Sequence, residues 1–343
     1  MELSHILFIA VVVTVVLYDF TNGFHDAADM VATAIASHAI RPSVAIGLVG
    51  FFTFLGPLVV GLAVADTIGT FVDIKSVSVT YAQSVVIAAL LSAVSYNLIT
   101  WYFGLPSSSS NSLAGGLVGA GLVVVGTSNI NWGITALENG KLDGLMKVVS
   151  GLLISPFFAF LMGFLILKLL LWIFKNFTIK IKPLFIVTQY FTVSWLGFSH
   201  GANDAQKGMA IVGMMLLANG YTQSFSIPLW TVLMCTSAIT LGTVFGGWNI
   251  IKTLGFGIYR IKLLDSVANQ IGSALVNTFA TSIGAPTSTT QVVTATLLGN
   301  GSARNPRRVN WTVAKHIVTG WLLNIPTSIA LGALYAYFLK GVL

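Results

Sequence analysis

The sequence predicts an all-α integral membrane protein of two inverted-topology repeats, with about ten to twelve transmembrane segments, some discontinuous or re-entrant. Three observations lead there: scarcity of charge, long apolar runs and an internal duplication. Charged residues make up 8% of the 343 and hydrophobic residues 55%, with a mean hydropathy of +0.88. Soluble domains carry about 25% charge, and a soluble globule could not hide this much apolar surface. The same composition excludes a disordered chain. The net charge of +7 is spread along connecting segments rather than gathered into a basic face, which excludes a nucleic-acid binder.

Run length separates helix from barrel. Residues 44–64, 84–101, 149–174 and 313–338 are continuous apolar stretches. A spanning helix needs about twenty such residues, whereas a membrane strand shows about ten of alternating polarity. Met1–His5 lacks the basic start of a signal peptide, so the first apolar run is expected to remain as a helix. Cys235 is the single cysteine, so no intrachain disulfide can form.

The duplication is carried by polar and helix-breaking residues. Asn22-Gly23-Phe24-His25-Asp26 aligns with His200-Gly201-Ala202-Asn203-Asp204 at an offset of 178. Gly104-Leu105-Pro106 followed by Ser107, Ser108, Ser109, Ser110 and Asn111 aligns with Gly284-Ala285-Pro286 followed by Thr287, Ser288, Thr289, Thr290 and Gln291, at an offset of 180. Asn97 and Asn277 share that offset, while Pro156 and Pro326 are 170 apart, as expected if the second half has a shorter loop before its last helix. The repeats are assigned to residues 1–174 and 183–343, joined by a short basic linker at 175–182.

Expected crossings in the first half are residues 1–40 with a break near Asn22, then 44–64, 81–103, 105–125 and 146–174. Residues 303–315 hold Arg304, Arg307, Arg308 and Lys315 without an acid, and the linker holds Lys175, Lys180 and Lys182. Both read as cytoplasmic. The equivalent of the former, residues 126–147, balances Glu138 and Asp143 against Lys141 and Lys147 and reads as external. An odd number of crossings per half satisfies these placements and inverts the second half.

Asp26 and Asp204 interrupt apolar stretches where an isolated carboxylate costs a few kcal/mol, so each needs a cation, a donor or a water cavity. The alternative for a single aspartate is a helix cap at an interface. The two hydroxyl runs each follow a Gly-x-Pro break and precede an apolar helix. Pro106 and Pro286 suit a first helical turn, where free N–H groups and the positive dipole end favour an anion. Packing alone would explain one or two hydroxyls, and Gly115, Gly116, Gly119, Gly121, Gly242 and Gly246 read as packing positions. Lys207 is the fixed cation near the motifs. An anion approaching Asp26 and Asp204 unaided would be repelled, so the residues suggest cotransport, with Na⁺ or H⁺ on the aspartates and an oxyanion on the helix N-termini.

These motifs resemble the paired Gly-Ala-Asn-Asp and Pro-Val-Ser-Thr-Thr-His motifs of the PiT family of inorganic phosphate transporters. Gly246-Gly247-Trp248, Thr253-Leu254-Gly255 and residues 199–207 are also similar to it, and the resemblance extends over nearly the whole chain. It implies a cation-coupled phosphate symporter of the cell (inner) membrane, multi-pass, not an enzyme, with inverted repeats and a tendency to dimerise. The resulting sodium-binding set is Asn22, Asp26, Asn97, Ser110, Asn203, Asp204, Asn277 and Thr290, with Asp26 and Asp204 as the metal-ligating carboxylates. The phosphate-binding set is Ser107, Ser108, Ser109, Asn111, Gln206, Thr287, Ser288, Thr289 and Gln291. No cofactor is expected beyond Na⁺ as the coupling ion.

Departures from the family pattern bear on coupling. His25 and Asp29 stand where Asn is usual, Asn111 and Gln291 replace a final His, and Thr53 replaces a glutamate. The last three changes remove titratable groups and favour Na⁺ over H⁺. His25 and His200 each read as a proton site or a neutral hydrogen-bonded imidazole. A proton-coupled or metal-phosphate symporter and a sulfate carrier of the same architecture are the alternatives. A hydrolase is not expected, because there is no His-Glu-x-x-His motif and no histidine lies within ten residues of either hydroxyl run.

Overall fold

The computed structural model describes residues 3–69, 78–127, 130–141, 144–176 and 179–342, so Met1, Glu2 and Asp143 lie outside the described residues. Within them the chain forms thirteen α-helices and no β-strand. The first half holds α1 (Leu3–Ala36), α2 (Pro42–Val59), α3 (Ala63–Gly69), α4 (Val79–Tyr102), α5 (Ser109–Val124), α6 (Ile134–Glu138) and α7 (Gly144–Ile173). The second holds α8 (Lys182–Ala218), α9 (Leu229–Phe245), α10 (Trp248–Phe256), α11 (Leu263–Ser282), α12 (Thr289–Arg304) and α13 (Trp311–Val342). The order repeats, except that a brief 3₁₀ turn at Pro306–Arg308 stands where the first half has α6. The second half does have the shorter connection before its last helix.

Among the described residues, α1, α2, α4, α7 and α13 are long and apolar enough to span a bilayer, and α9 with α10, bent by 67°, makes a sixth. Length and composition alone pick out these six. The 16-residue hairpin arms α5 and α12 are too short to pass on that ground, and α8, 37 residues long, carries Ser199, His200, Asn203, Asp204, Gln206 and Lys207 in one buried stretch that depresses its hydropathy.

The halves interlock. α1 packs on α9 and α2 on α8. α5 packs against α13 and α7 against α12, so each half's last helix braces the other half's hairpin. α4 and α5 fold back on each other around the Pro106 turn, as do α11 and α12 around Pro286.

The expected break near Asn22 is absent: α1 runs unbroken through Gly23, and α8 through Gly201. Gly23 serves contact instead. A Cβ there would stand 2.0 Å from the Ile239 carbonyl oxygen on α9, and one on Gly201 would stand 2.1 Å from that of Thr53 on α2. The real discontinuities are the hairpin tips, where Gly104 and Gly284 take left-handed φ of 65° and 67°. Pro106 and Pro286 lie ahead of the helices rather than in their first turns, because Ser108 and Ser288 are the N-caps. Gly115, Gly116, Gly119 and Gly242 do lie against neighbouring backbone, but Gly246 takes φ of 56° as the C-cap of α9. α7 and α13 continue through Pro156 and Pro326.

Candidate functional site

α1 and α8 each present one polar face to the centre. On α1, Asp19, Asn22, Asp26 and Asp29 are spaced by three, four and three residues, which aligns them along one side of the helix. On α8 the equivalent face carries His200, Asn203, Asp204 and Lys207. All eight are buried.

The hairpin tips deliver the hydroxyl runs to these faces. Ser108 and Ser288 accept the backbone N–H groups of Asn111 and Gln291 at 3.1 and 3.3 Å, leaving their own hydroxyl protons to donate. The first N–H groups of α5 and α12 have no acceptor within their helices, so both tips present positive ends to the same interior. Ser109 donates to Asn22 Oδ1 at 2.6 Å. Its counterpart Thr289 donates to Asp204 Oδ2 at 2.6 Å and lies 3.1 Å from His200 Nδ1. Ser107 lies 2.8 Å from Thr100 Oγ1 and 3.3 Å from His25 Nε2. The Thr287 hydroxyl donates to Asn277 Oδ1 at 3.3 Å, while its N–H donates to Asn203 Oδ1 at 3.1 Å.

Contacts between the two tips and α1 also cross between halves. Thr290 donates to Asp26 Oδ1 at 2.6 Å and also reaches Asp29, and Ser110 donates to the Thr287 carbonyl at 2.9 Å. The tips therefore meet where the two aspartates meet. Asp26, His200 and Asp204 offer ligand atoms all within 4.8 Å of one another, and so do His25, Asp26 and Asp29. Asp26 belongs to both groups. His200 Nδ1 stands 2.9 Å from Asp204 and 3.9 Å from Asp26, and the Lys207 ammonium pairs with Asp204.

Asp19 adds a fourth buried carboxylate, lodged against α8 so closely that a Cβ on Gly208 would stand 2.3 Å from it. The polar faces of α1 and α8 thus carry four buried carboxylates and one fixed ammonium, which pairs with Asp204. With the carboxylates ionised and the histidines neutral, the interior is short of positive charge, and buried charges need partners. Several buried polar atoms there make no hydrogen bond within the protein: both side-chain atoms of Asn97, Asn22 Nδ2, Asn111 Oδ1, Gln291 Oε1 and one oxygen of Asp29. They are the atoms a ligand can engage.

Gln206 departs from its expected role. Its side-chain oxygen accepts from the N–H groups of Val64 and Ala65, both at 3.0 Å, and its amide donates to the Gly61 and Ala202 carbonyls. It caps the start of α3 and has no capacity left for an anion.

Comparison with known proteins follows the same outline. The profile described as "Phosphate transporter family" matches residues 22–183 and again 175–332. The chain belongs to this family. A probable low-affinity inorganic phosphate transporter of Rhizobium meliloti (strain 1021) is 38% identical over 334 residues, covering 97% of this chain and 96% of the relative. Another from Bacillus subtilis (strain 168), with the same description, is 36% identical over the full length of both. A solved structure described as "The sodium-dependent phosphate transporter" superposes with a TM-score of 0.84 at 25% identity, covering 98% of this chain and 100% of that one. Like its relatives, this family member is an integral membrane transporter and not an enzyme.

The sodium- and phosphate-binding sets read from the sequence omit Lys207, His25, His200, Asp29, Asp19 and Asn324. The first four stand within the recognised motifs, and Asp19 is legible from the α1 spacing. Asn324 interrupts the apolar α13. It donates to the Ser108 carbonyl at 2.7 Å and accepts from Ser112 at 2.9 Å, steadying the first tip from the other half.

Proposed function

We propose that this chain is a sodium-coupled symporter of inorganic phosphate. The observation that carries the reading is the placement of four buried carboxylates and one fixed ammonium beneath two converging helix N-termini. Such an interior repels a lone oxyanion, and becomes a site for one when mobile cations bridge anion and carboxylate. The structural neighbour, described as a sodium-dependent phosphate transporter, supports the coupling ion, and the names of the curated relatives support the substrate.

In this reading Asn22, Asp26, Asn97, Ser110, Asn203, Asp204, Asn277 and Thr290 supply carboxylate, amide and hydroxyl oxygens to Na⁺. Ser107, Ser108, Ser109, Asn111, Thr287, Ser288, Thr289 and Gln291, with the helix N–H groups, receive phosphate. Residues 1–174 and 183–343 act as paired repeats about this point. Thr287 and Lys147 both line a largely apolar cavity of about 490 Å³ between α7 and α11.

The test is phosphate uptake by proteoliposomes at fixed pH with Na⁺ replaced by choline. The expected result is loss of concentrative uptake, and an excess of sulfate failing to displace labelled phosphate. Uptake that persists in choline and follows a pH gradient would assign the coupling to protons instead.

A further inference from the structure

One pair of equivalent positions breaks the symmetry of the site. At the 178-residue offset of the aspartate motifs, position 29 is an aspartate and position 207 a lysine. In the first-half site, Thr290 donates directly to Asp26 and reaches Asp29. Its counterpart Ser110 is approached instead by the Lys207 ammonium, which stands between Ser110 and Asp204. The third partner of the ammonium is the Thr287 backbone carbonyl at 2.8 Å.

Carboxylate, hydroxyl and carbonyl are the hard oxygen donors that a small cation of the Na⁺ type selects. Lys207 is 1% exposed, and its stem, rooted in α8, holds the charge in the volume such an ion would fill. Asp29 gives the opposite side a second carboxylate, one of whose oxygens makes no hydrogen bond within the protein. With both acids ionised, the one hydroxyl proton of Thr290 cannot satisfy them, and that side then needs a mobile cation.

We propose that Lys207 is a tethered cation occupying one of two pseudo-equivalent ion sites. The mobile ion then binds at Asp26, Asp29 and Thr290, and the protein moves one cation fewer per phosphate than it would with both sites free. This inference rests on the sodium-coupled reading above and takes Ser110 and Asp204 out of its sodium-binding set, because Lys207 holds both.

Equilibrium binding of radioactive sodium to the purified full-length protein, at saturating phosphate, tests it without requiring turnover. Lys207→Met is expected to bind one more Na⁺ per chain than wild type, while Lys207→Arg keeps the wild-type number. Asp29→Asn, which leaves Lys207 in place, is expected to keep the number and weaken sodium binding about tenfold, as loss of one charged ligand implies. An unchanged number in a folded Lys207→Met overturns the inference, as does unchanged affinity in Asp29→Asn. If Lys207→Met does not fold, the Asp29→Asn result decides alone. Wild-type protein that binds no sodium removes the coupling reading itself, whereas sodium bound equally by wild type and Lys207→Met removes only the tethered cation.

Discussion

α1 and α8 are built on one plan and charged on two. Each runs unbroken through its glycine, each packs that glycine against a carbonyl of the other half, and each turns a polar face toward the hairpin tips. Yet α1 carries three buried aspartates, whereas α8 carries one aspartate paired with Lys207. The shared features are those that backbone geometry enforces: close approach and helical register. The differences lie in side chains that meet ligand, where a change of charge leaves the frame intact. Duplication therefore preserves architecture more strictly than it preserves the electrostatics of the two sites.

The strongest test of this contrast is to neutralise the two aspartates separately. Asp26→Asn and Asp204→Asn are both expected to abolish phosphate uptake, since each removes a buried anionic ligand while keeping its shape. They should differ in stability. Asp204→Asn strands the Lys207 ammonium, and breaking a buried ion pair costs about 3–5 kcal/mol. Asp26→Asn strands no fixed cation and relieves the crowding with Asp29. Thermal unfolding in detergent should show a large drop for Asp204→Asn alone, with Asp204→Asn/Lys207→Met recovering Tm but not uptake. Equal drops for the two single variants would mean that Lys207 is not balanced by Asp204.

Substituting the paired glycines should show the opposite, a symmetric response. Gly23→Ala and Gly201→Ala each force a methyl to within 2.0–2.1 Å of a carbonyl oxygen on the partner helix, so backbone must move. Each should cost about 1–3 kcal/mol, read as equal losses of Tm. A much smaller loss at either position would indicate that one helix pair tolerates sliding.

The contrast between frame and charge also accounts for what is legible in the chain. The repeats are visible because Gly-x-Pro, hydroxyl runs and aspartates are rare inside apolar sequence, so their recurrence stands out. Their pairing is not. Thr290 meets Asp26 across 264 residues, and nothing local to either announces that a second-half hydroxyl serves a first-half carboxylate. Gly23 misleads because a glycine between polar residues has the same local signature whether it breaks a helix or admits a neighbour. Gln206 misleads for a related reason. Its motif position suggests a ligand, and only the arrival of residues 61–65 shows that its amide is already engaged. Lys207 is readable as a nearby charge, but its insertion between Ser110 and Asp204 depends on the tertiary meeting of α5 and α8.

A smaller asymmetry lies at Asn324. The residue at the same distance from the repeat proline in the first half is Ile154, so at this position α13 offers the first tip an amide and α7 offers the second tip none. Asn324→Ile would make the halves alike. It removes the donor to the Ser108 carbonyl and the acceptor for Ser112, a loss of about 1–3 kcal/mol in local order. Phosphate KM should rise several-fold with sodium dependence unchanged, and unaltered transport would show that the first tip is held by α4 and α13 packing alone.

The smallest expected effect tests whether the tips act alike toward the anion. Ser108→Ala and Ser288→Ala each remove an N-cap, worth about 1 kcal/mol. The hydroxyl oxygen of each residue is committed to the cap, but its proton remains free to donate to a bound oxyanion. Loss of cap and donor together should raise phosphate KM by about fivefold or more, the factor that 1 kcal/mol implies. The two variants should match, because both caps lie on the shared frame and neither touches Asp29 or Lys207. Sodium activation curves should coincide with wild type. If either substitution shifts sodium dependence while leaving phosphate KM alone, that tip belongs to the cation, and the division of labour between aspartates and hydroxyl runs is wrong on that side of the molecule.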